Sequence, residues 1–373
     1  MNVIGSTRRA LRLGTVAFLA ASTMFGTVTA QAKDWRGWNI HVVDYPVSHG
    51  MEQFLAEVTE KTGGGIEGKI FHGGVLGSQP DAIEQLRLGA LDFGVFSLGP
   101  MGQVVPETNV VSLPFIFKGI DQMYELMDGE VGDAIDAGLQ KKGIVALGWY
   151  DAGARSFYNS IKPINTPDDV KGMKVRVMNN DLFVGMIESM GGNATPMAFA
   201  EVYQSLKTGV VDGAENNPPS YESTNHFEVA KYYSLSQHLI IPECLCMSKK
   251  TWDGLTEDQQ KIVRAAGRAS AVTQRELWQA REKMSMDAVE AGGTTVNAIA
   301  DKAPFQAAMA SVYDDFLAAN PDLTGLVSMI RDAPAAGGGA TAAAGGTMSM
   351  EDRMGALEAA VQKLTDMVEG MAK

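Results

Sequence analysis

Residues 39–96 of the chain have the sequence NIHVVDYPVSHGMEQFLAEVTEKTGGGIEGKIFHGGVLGSQPDAIEQLRLGALDFGVF. Apolar strand patterns alternate here with amphipathic helix patterns, and glycine-rich turns separate several of them. The strand patterns lie at 39–43, 69–71 and 91–96, and the helix patterns lie at 49–61 and 80–88. Such an alternation is typical of a parallel sheet with helices on its faces. The stretch therefore predicts an α/β fold.

The alternation continues through the rest of the body of the chain. Strand patterns follow at 144–149, 174–177, 210–212, 233–246 and 294–299, and helix patterns follow at 120–141, 180–190, 201–207, 257–291 and 304–319. A body of about 300 residues is long enough for two lobes, because single hydrophobic cores stop growing near that length. The helix at 257–291 would be capped by Thr256 and would extend to roughly 52 Å. We expect it to brace both lobes.

The first 32 residues have the features of a secretory signal peptide in the usual order. Three arginines precede an apolar run, and small residues follow it. The apolar run is shorter than the about 20 residues that a membrane-spanning helix needs. We expect cleavage after Ala32, or alternatively after Ala30, and a periplasmic protein that is not embedded in the membrane. The general secretory route is favoured, with twin-arginine export as the alternative.

The C-terminal segment differs in composition from the body. Residues 333–349 are rich in Ala and Gly, which predicts a flexible linker. In residues 350–373, apolar side chains from Met350 to Met371 recur at alternating steps of four and three, which is a heptad pattern. This tail predicts a short coiled coil and a possible homo-oligomer. A disordered tail is the alternative, because two glycines weaken the helix.

Composition and motifs argue against several functions. The formal net charge of −13 is unfavourable for nucleic-acid binding, which needs clustered Lys and Arg. The five histidines are scattered without metal-ligand spacing, and no nucleophile elbow, phosphate-binding loop or zinc-protease motif is present. The glycines at 63, 65 and 68 follow a helix pattern and precede a strand pattern, the reverse of a dinucleotide site. We therefore expect no cofactor, no metal and no catalytic residue, with an enzyme and a structural surface protein as the less favoured classes.

The only two cysteines are Cys244 and Cys246. Two residues apart on a regular strand is a poor geometry for a disulfide, so they are predicted to be two buried thiols. Metal binding would need more ligands than the neighbouring Glu243 supplies.

Two arginines lie in strand contexts. Arg176 lies inside the apolar strand pattern at 174–177, where an unpaired charge is costly, and Arg155 follows the strand pattern at 144–149. The guanidinium is a planar fork that pairs bidentately with a carboxylate. Arg176 is therefore expected to bind an anion, which is either an acidic side chain of the protein or a ligand.

Several segments taken together resemble one known family. They are GGVLG at 73–77, AIEQL at 82–86 with Gly89 and Asp92, KPINTPDDVKGMKVRV at 162–177, Pro196, EV at 201–202, LKTGVVDGAEN at 206–216 and MSKKTW at 247–252. This combination resembles the DctP-type solute-binding proteins of TRAP transporters, which are tripartite, ion-driven uptake systems. The resemblance covers residue 38 to about residue 320.

The resemblance implies a non-enzymatic protein with a type II periplasmic-binding-protein-like fold. In that fold a hinge and a long bridging helix join two α/β lobes. Lobe I is expected to comprise residues 33–154 and 243–332, and lobe II residues 155–242. The implied function is capture of an organic acid between the lobes and its delivery to the membrane permease subunits of the transporter.

The resemblance also implies the ligand-binding residues. Arg176, in the Lys-x-Arg-x strand, is expected to pair with the ligand carboxylate, and Arg155 is expected to be a second anion contact. Asn216 is expected to form a hydrogen bond with the ligand. The adjacent Glu215 and Asn217 complete this part of the expected set.

The ligand implied by the resemblance is a sugar acid. Residues 214–217 and 219–222 resemble the branch that binds glucuronate- or galacturonate-like acids. Pro218 stands where that branch usually has an aromatic residue that stacks on the sugar. Tyr45 or His49 is expected to supply a compensating contact. A sulfonate, an aromatic acid and a C4-dicarboxylate remain as alternatives.

Overall fold

The computed structural model describes residues 33–336, so the predicted signal peptide and coiled-coil tail lie outside the described residues. Within them the strands are β1 (Lys33–Trp38), β2 (Ile66–Phe71), β3 (Phe93–Ser97), β4 (Ile144–Tyr150), β5 (Ala154–Asn159), β6 (Lys174–Val177), β7 (Asn193–Pro196), β8 (Gly213–Asn216), β9 (Tyr232–Ile240), β10 (Glu243–Ser248) and β11 (Thr295–Ala298). The helices are α1 (Pro46–Lys61), α2 (Gln79–Leu88), α3 (Leu98–Met101), α4 (Glu107–Val110), α5 (Ile120–Met127), α6 (Glu130–Lys141), α7 (Asp181–Glu188), α8 (Val202–Lys207), α9 (Pro218–Ser223), α10 (His226–Val229), α11 (Lys249–Asp253), α12 (Glu257–Ala291), α13 (Ala303–Ala308), α14 (Ala310–Ala319) and α15 (Thr324–Asp332).

The strands form two mixed sheets, which confirms the predicted α/β class. The first sheet has the order β2-β1-β3-β10-β4, and the second has the order β11-β9-β5-β8-β6-β7. In the first sheet β10 is antiparallel to both of its neighbours, β3 and β4. In the second sheet β5 is antiparallel to both of its neighbours, β8 and β9. The remaining pairings are parallel.

The two antiparallel strands are also the strands by which the chain changes sheet. It leaves the first sheet after β4 and enters the second at β5 through residues 151–153, and it returns through residues 241–242 to β10. Gly153 has a φ of +62°, and a Cβ atom there would lie 2.8 Å from Nε1 of Trp278. Glycine is therefore required at this crossing, both for its backbone conformation and for space.

Helix α12 has the bounds that the sequence predicts, Glu257–Ala291, and it bridges the two lobes. Its first turn is held by a capping box, in which Thr256 and Gln259 exchange side chain to backbone hydrogen bonds of 3.1 and 3.2 Å. Val263 in α12 belongs to a buried cluster with residues of α1 and the first sheet. Val289, near its other end, belongs to a cluster with tyrosines of the second sheet. No helix between residues 33 and 336 is long and apolar enough to cross a membrane.

The predicted strand at 39–43 is wrong, because the first strand is β1 at Lys33–Trp38. After β1 the chain turns out of the sheet, and Asn39 fixes the turn. Its side chain accepts from the backbone N–H of His41 at 3.1 Å and donates to Ser48 at 2.7 Å. The apolar pair Val42 and Val43, which made this segment resemble a strand, is 46% and 58% exposed.

Other elements differ from prediction mainly at their ends. The strand expected at 210–212 is β8, at Gly213–Asn216. The extended segment at 233–246 is two strands in different sheets, β9 and β10. The helix patterns at 120–141 and 304–319 are each interrupted, at Asp128–Gly129 and at Met309. Residues 295–298, grouped with lobe I in the prediction, form β11 and pair with β9 in the second sheet.

The prediction of two buried thiols is wrong, because a disulfide joins Cys244 to Cys246. The prediction assumed a regular strand. In β10 the register against β4 shifts between Leu245 and Cys246, so the strand is irregular between the two cysteines. Their Cα atoms are 5.3 Å apart, which lies in the usual range for a disulfide.

Candidate functional site

A cavity lies between the two sheets, at the ends of several strands. The enclosed part of this cavity is small, with a volume of about 60 Å³. The first sheet and the loop after β1 contribute His41, Ser97 and Glu243, and the second sheet contributes Arg155, Arg176 and Asn216. Ligand sites in α/β folds typically lie beyond the carboxyl ends of parallel strands.

Arg176 lies on β6 and is 3% exposed. Its Nε and Nη2 both donate to the carbonyl oxygen of Met197, at 3.1 and 2.8 Å. Within residues 33–336, no carboxylate oxygen lies within 4.0 Å of its nitrogens. Burial lowers the pKa of Arg176 to about 10, so it is still a cation at neutral pH. The sequence predicted that Arg176 binds either an acidic side chain of the protein or an anionic ligand. The described residues place no acidic side chain in contact with it.

Arg155, at the start of β5, has the ion pair that Arg176 lacks. Its Nε and Nη2 donate to the two carboxylate oxygens of Glu215, at 2.6 and 2.9 Å. Both side chains are buried. Burial lowers the pKa of Arg155, but the charge and hydrogen bonds of Glu215 outweigh this effect and raise it above its ordinary value. The charge of Arg155 is thus balanced within the protein.

The two asparagines after Glu215 differ in how their side chains are used. Asn216 Oδ1 accepts from Arg155 Nη1 at 2.7 Å and from the backbone N–H of Asn217 at 2.9 Å. Because Oδ1 faces Arg155, the amide nitrogen Nδ2 of Asn216 points away from Arg155. Nδ2 has no hydrogen-bond partner in the described part of the chain. Asn217 is occupied at both ends, since Nδ2 donates to Ala152 and Oδ1 caps α9 by accepting from Ser220. Both asparagines line the cavity.

The structure does not place Tyr45 and His49 in the lining of the cavity. Tyr45 is fully buried, and its ring stacks on His41 with the ring centres 4.1 Å apart. It therefore supports a lining residue from behind. His49 lies in the first turn of α1, where its ring nitrogens are 3.4 Å from Asp44 and 3.5 Å from Glu52. The nearby carboxylates of Glu52 and Asp44 raise the pKa of His49, so this histidine belongs to a charged cluster at the start of α1.

The lining also includes His41, Phe199 and Glu243, which were not assigned to the site from the sequence. The ring centre of Phe199 is 6.0 Å from Cζ of Arg176, so an aromatic ring lies beside the unpaired guanidinium. Pro218, where the aromatic residue was expected, is instead the first residue of α9 and does not line this cavity. Pro196 and Glu201–Val202, which carried part of the resemblance, flank Phe199 in the sequence.

A cavity between two sheets, a buried arginine with no carboxylate of residues 33–336 in contact with it, and a helix that bridges both lobes are features of a ligand-capturing protein. The chain belongs to the DctP family, described as bacterial extracellular solute-binding protein, family 7, whose model matches residues 40–320. It is the solute-binding component of a TRAP-type transport system, a class of non-enzymatic transport proteins.

Relatives of known structure agree with this assignment. A TRAP periplasmic solute-binding protein from Sulfitobacter sp. NAS-14.1, solved with bound β-D-galacturonate, is 76% identical with a TM-score of 0.80, over 81% of this chain and 100% of that chain. A second from Roseobacter denitrificans, solved with bound β-D-glucuronate, is 62% identical with a TM-score of 0.79, over 80% and 99%. A solute-binding protein from Chromohalobacter salexigens is 53% identical over 86% of this chain and 98% of its own length.

Proposed function

We propose that this protein captures a hexuronate, galacturonate or glucuronate, in the cavity between its two sheets and delivers it to the membrane permease subunits of a TRAP transporter. The observation that carries the proposal is the guanidinium of Arg176. It is a buried cation in the cavity lining, and the described residues offer it no anion. A ligand carboxylate would supply that anion through a charge-assisted pair, which is stronger than a neutral hydrogen bond.

The neighbouring polar groups support an oriented ligand. Met197 holds Nε and Nη2 of Arg176, which fixes the plane of the guanidinium. The Arg155–Glu215 pair holds Asn216 so that its amide nitrogen is available as a donor. We therefore assign Arg176 and Asn216 to direct ligand contacts. Arg155 also lines the cavity, but with its charge balanced by Glu215 its main contribution is to position Asn216.

The identity of the acid is supported by the relatives. Those from Sulfitobacter and Roseobacter, at 76% and 62% identity, were solved with galacturonate and glucuronate. The ring of Phe199 lies in the cavity lining beside Arg176, so it takes the place of the aromatic residue that was expected at 218. An apolar ring face next to an anion site suits a sugar acid, whose ring has an apolar face and whose edge carries a carboxylate.

The two sheets are proposed to be the cores of two lobes that close on the ligand. Lobe I would comprise residues 33–154 and 243–332 apart from β11, and lobe II would comprise residues 155–242 with β11. The crossings at 151–153 and 241–242 are the proposed hinge. Saturation with ligand should then lower the radius of gyration in small-angle scattering. An unchanged radius at saturation would contradict closure.

The remaining parts of the proposal concern the chain ends. We propose that residues 1–32 direct export to the periplasm, where the solved relatives are described to act. Residues 350–373 are proposed to form a coiled coil that links copies of the chain. Neither segment lies in the described range, so both proposals rest on the sequence patterns alone.

The direct test is titration calorimetry of the purified chain with galacturonate, glucuronate, succinate, an alkyl sulfonate and benzoate. The proposal expects saturable binding of a hexuronate and at least about tenfold weaker binding of the other acids, a difference of about 1.4 kcal/mol. Tighter binding of succinate, the sulfonate or benzoate would keep the binding function and replace the ligand class. Absence of binding to every acid would contradict the proposal.

A further inference from the structure

The cavity lining also contains a charged side chain that the proposed function does not use. Glu243 is the first residue of β10, lines the cavity and is 6% exposed. Its Oε1 lies 3.4 Å from Nε2 of His41. Its Oε2 is buried, and no hydrogen-bond donor among residues 33–336 reaches it. A buried carboxylate oxygen without a donor is costly, because it has lost its hydration without a replacement.

His41 determines which oxygen of Glu243 is left over. Its ring is stacked on that of Tyr45, with the planes 6° apart, and Tyr45 is itself fixed by a 3.0 Å hydrogen bond to Ser220. The imidazole therefore has a fixed orientation and faces Oε1. Oε2 is thus an acceptor that residues 33–336 leave without a hydrogen bond.

Glu243 and Arg176 come to the cavity from different sheets. Arg176 lies on β6 of the second sheet, and Glu243 lies on β10 of the first sheet. A ligand with its carboxylate on Arg176 therefore has another part directed toward the first sheet. A hydroxyl group there could donate to Oε2. A second carboxylate there would instead place two anions together in a poorly hydrated site.

We propose that Oε2 of Glu243 accepts a hydrogen bond from a hydroxyl group of the ligand, and that this carboxylate selects hydroxylated monocarboxylates over dicarboxylates. The inference rests on the proposed function, because it assumes that Arg176 holds the ligand carboxylate. It assigns the two ends of the ligand to two residues. Arg176 requires an anion, and Glu243 requires a donor and repels a second anion.

The test combines variants with three probes, measured by calorimetry at one neutral pH. The probes are galacturonate, tetrahydropyran-2-carboxylate, which keeps the ring and carboxylate without hydroxyl groups, and glutarate, a dicarboxylate. Glu243→Gln should weaken galacturonate binding by about tenfold to a hundredfold, the worth of a hydrogen bond to a charged group. Binding of tetrahydropyran-2-carboxylate should change by less than about threefold, and glutarate should bind more tightly than to the wild type.

Two further variants serve as controls. Glu243→Asp keeps the charge but withdraws the oxygens, so galacturonate should weaken while glutarate remains excluded. Glu107→Gln removes a carboxylate that does not line the cavity, and it should leave the affinities for all three probes unchanged. Thermal melts of each variant establish that it is folded.

The outcomes separate this inference from the proposed function. If the wild type binds neither galacturonate nor glucuronate, the proposed function fails and this inference fails with it. If the wild type binds galacturonate but Glu243→Gln keeps the wild-type ratio of galacturonate to glutarate affinity within about threefold, only the role of Glu243 is overturned. Equal loss of galacturonate and tetrahydropyran-2-carboxylate binding would also overturn it, because the effect would not depend on hydroxyl groups.

Discussion

Replacing Arg176 separates a ligand-binding arginine from one that only supports the fold. If it pairs with a ligand carboxylate in a poorly hydrated cavity, truncation to methionine removes one partner of a buried charge pair. The expected cost is about 2–5 kcal/mol, or about thirtyfold to several thousandfold in affinity. Arg176→Lys should restore little of it, since an ammonium keeps the charge but loses the planar fork that Met197 orients.

The stability of the ligand-free protein should respond much less. The lowering of the Arg176 pKa from 12.5 to about 10 corresponds to about 3 kcal/mol spent on burying the cation. Its two hydrogen bonds to Met197 return about 1 kcal/mol each. Arg176→Met removes both contributions, so the free energy of unfolding should change by less than about 2 kcal/mol.

The assay is calorimetric titration with galacturonate, paired with thermal melts of the ligand-free variants. Arg275→Lys is a matched control. Arg275 also donates Nε and Nη2 to one carbonyl oxygen, that of Trp149, at 3.2 and 2.8 Å, but it does not line the cavity. The control should keep wild-type affinity. The reasoning is refuted if Arg176→Met keeps affinity within about threefold and loses several kcal/mol of ligand-free stability.

Three further predictions follow from buried charges and from the tail. Arg155→Met or Glu215→Gln alone should lower the free energy of unfolding by about 3–5 kcal/mol, because each leaves its partner buried and unpaired; melts within 2 °C of the wild type would contradict this. Burial, with a smaller contribution from Asp151, raises the pKa of Glu282 from 4.5 to about 7, so the folded protein holds this proton more tightly than the unfolded chain. The resulting stabilisation of the folded state is present below pH 4.5 and is lost as the pH rises through 7. The free energy of unfolding of Glu282→Gln, relative to that of the wild type, should therefore rise by up to about 3 kcal/mol between pH 4.5 and pH 8. A difference between variant and wild type that is the same at the two pH values would contradict this prediction. Deleting residues 337–373 should leave galacturonate affinity unchanged and reduce the oligomeric state, and light scattering that shows the same mass with and without the tail would exclude the coiled coil.

The sequence predicted the fold class because periodicity reports burial directly. α12 was predicted to the residue, since a capping threonine, 35 helical residues and two glycines mark both of its ends. β6 was also predicted exactly as it stands, at Lys174–Val177. The segment at 39–43 was not, because exposed apolar residues in a loop have the same alternation as a half-buried strand. Only the side-chain bonds of Asn39, made across the turn, distinguish the two.

The site was harder to predict, because its groups come from distant parts of the chain. Arg155 and Arg176 were found from their strand contexts and Asn216 through the family resemblance, and the structure brings all three to one cavity. Which arginine has a protein anion was not predictable. In the pairing of β5 with β8, the residue opposite Glu215 is Phe157. The Glu215 side chain reaches diagonally to Arg155, two residues earlier on β5, and only the folded structure shows this contact. Glu243 was noticed only as a neighbour of the cysteines, and its role depends on a tertiary contact.

The arrangement of the two crossing strands explains why ligand binding and lobe closure should be one event. Arg155 is the second residue of β5 and Glu243 is the first residue of β10, so both stand where the chain has just changed sheet. The Arg155–Glu215 pair is internal to the second sheet, and the pair of Glu243 with His41 is internal to the first lobe. Each sheet therefore carries its own half of the site. If the crossings at 151–153 and 241–242 act as the proposed hinge, a ligand that satisfies Arg176 on one half and Glu243 on the other favours the closed state by as much as it binds that state more tightly than the open one.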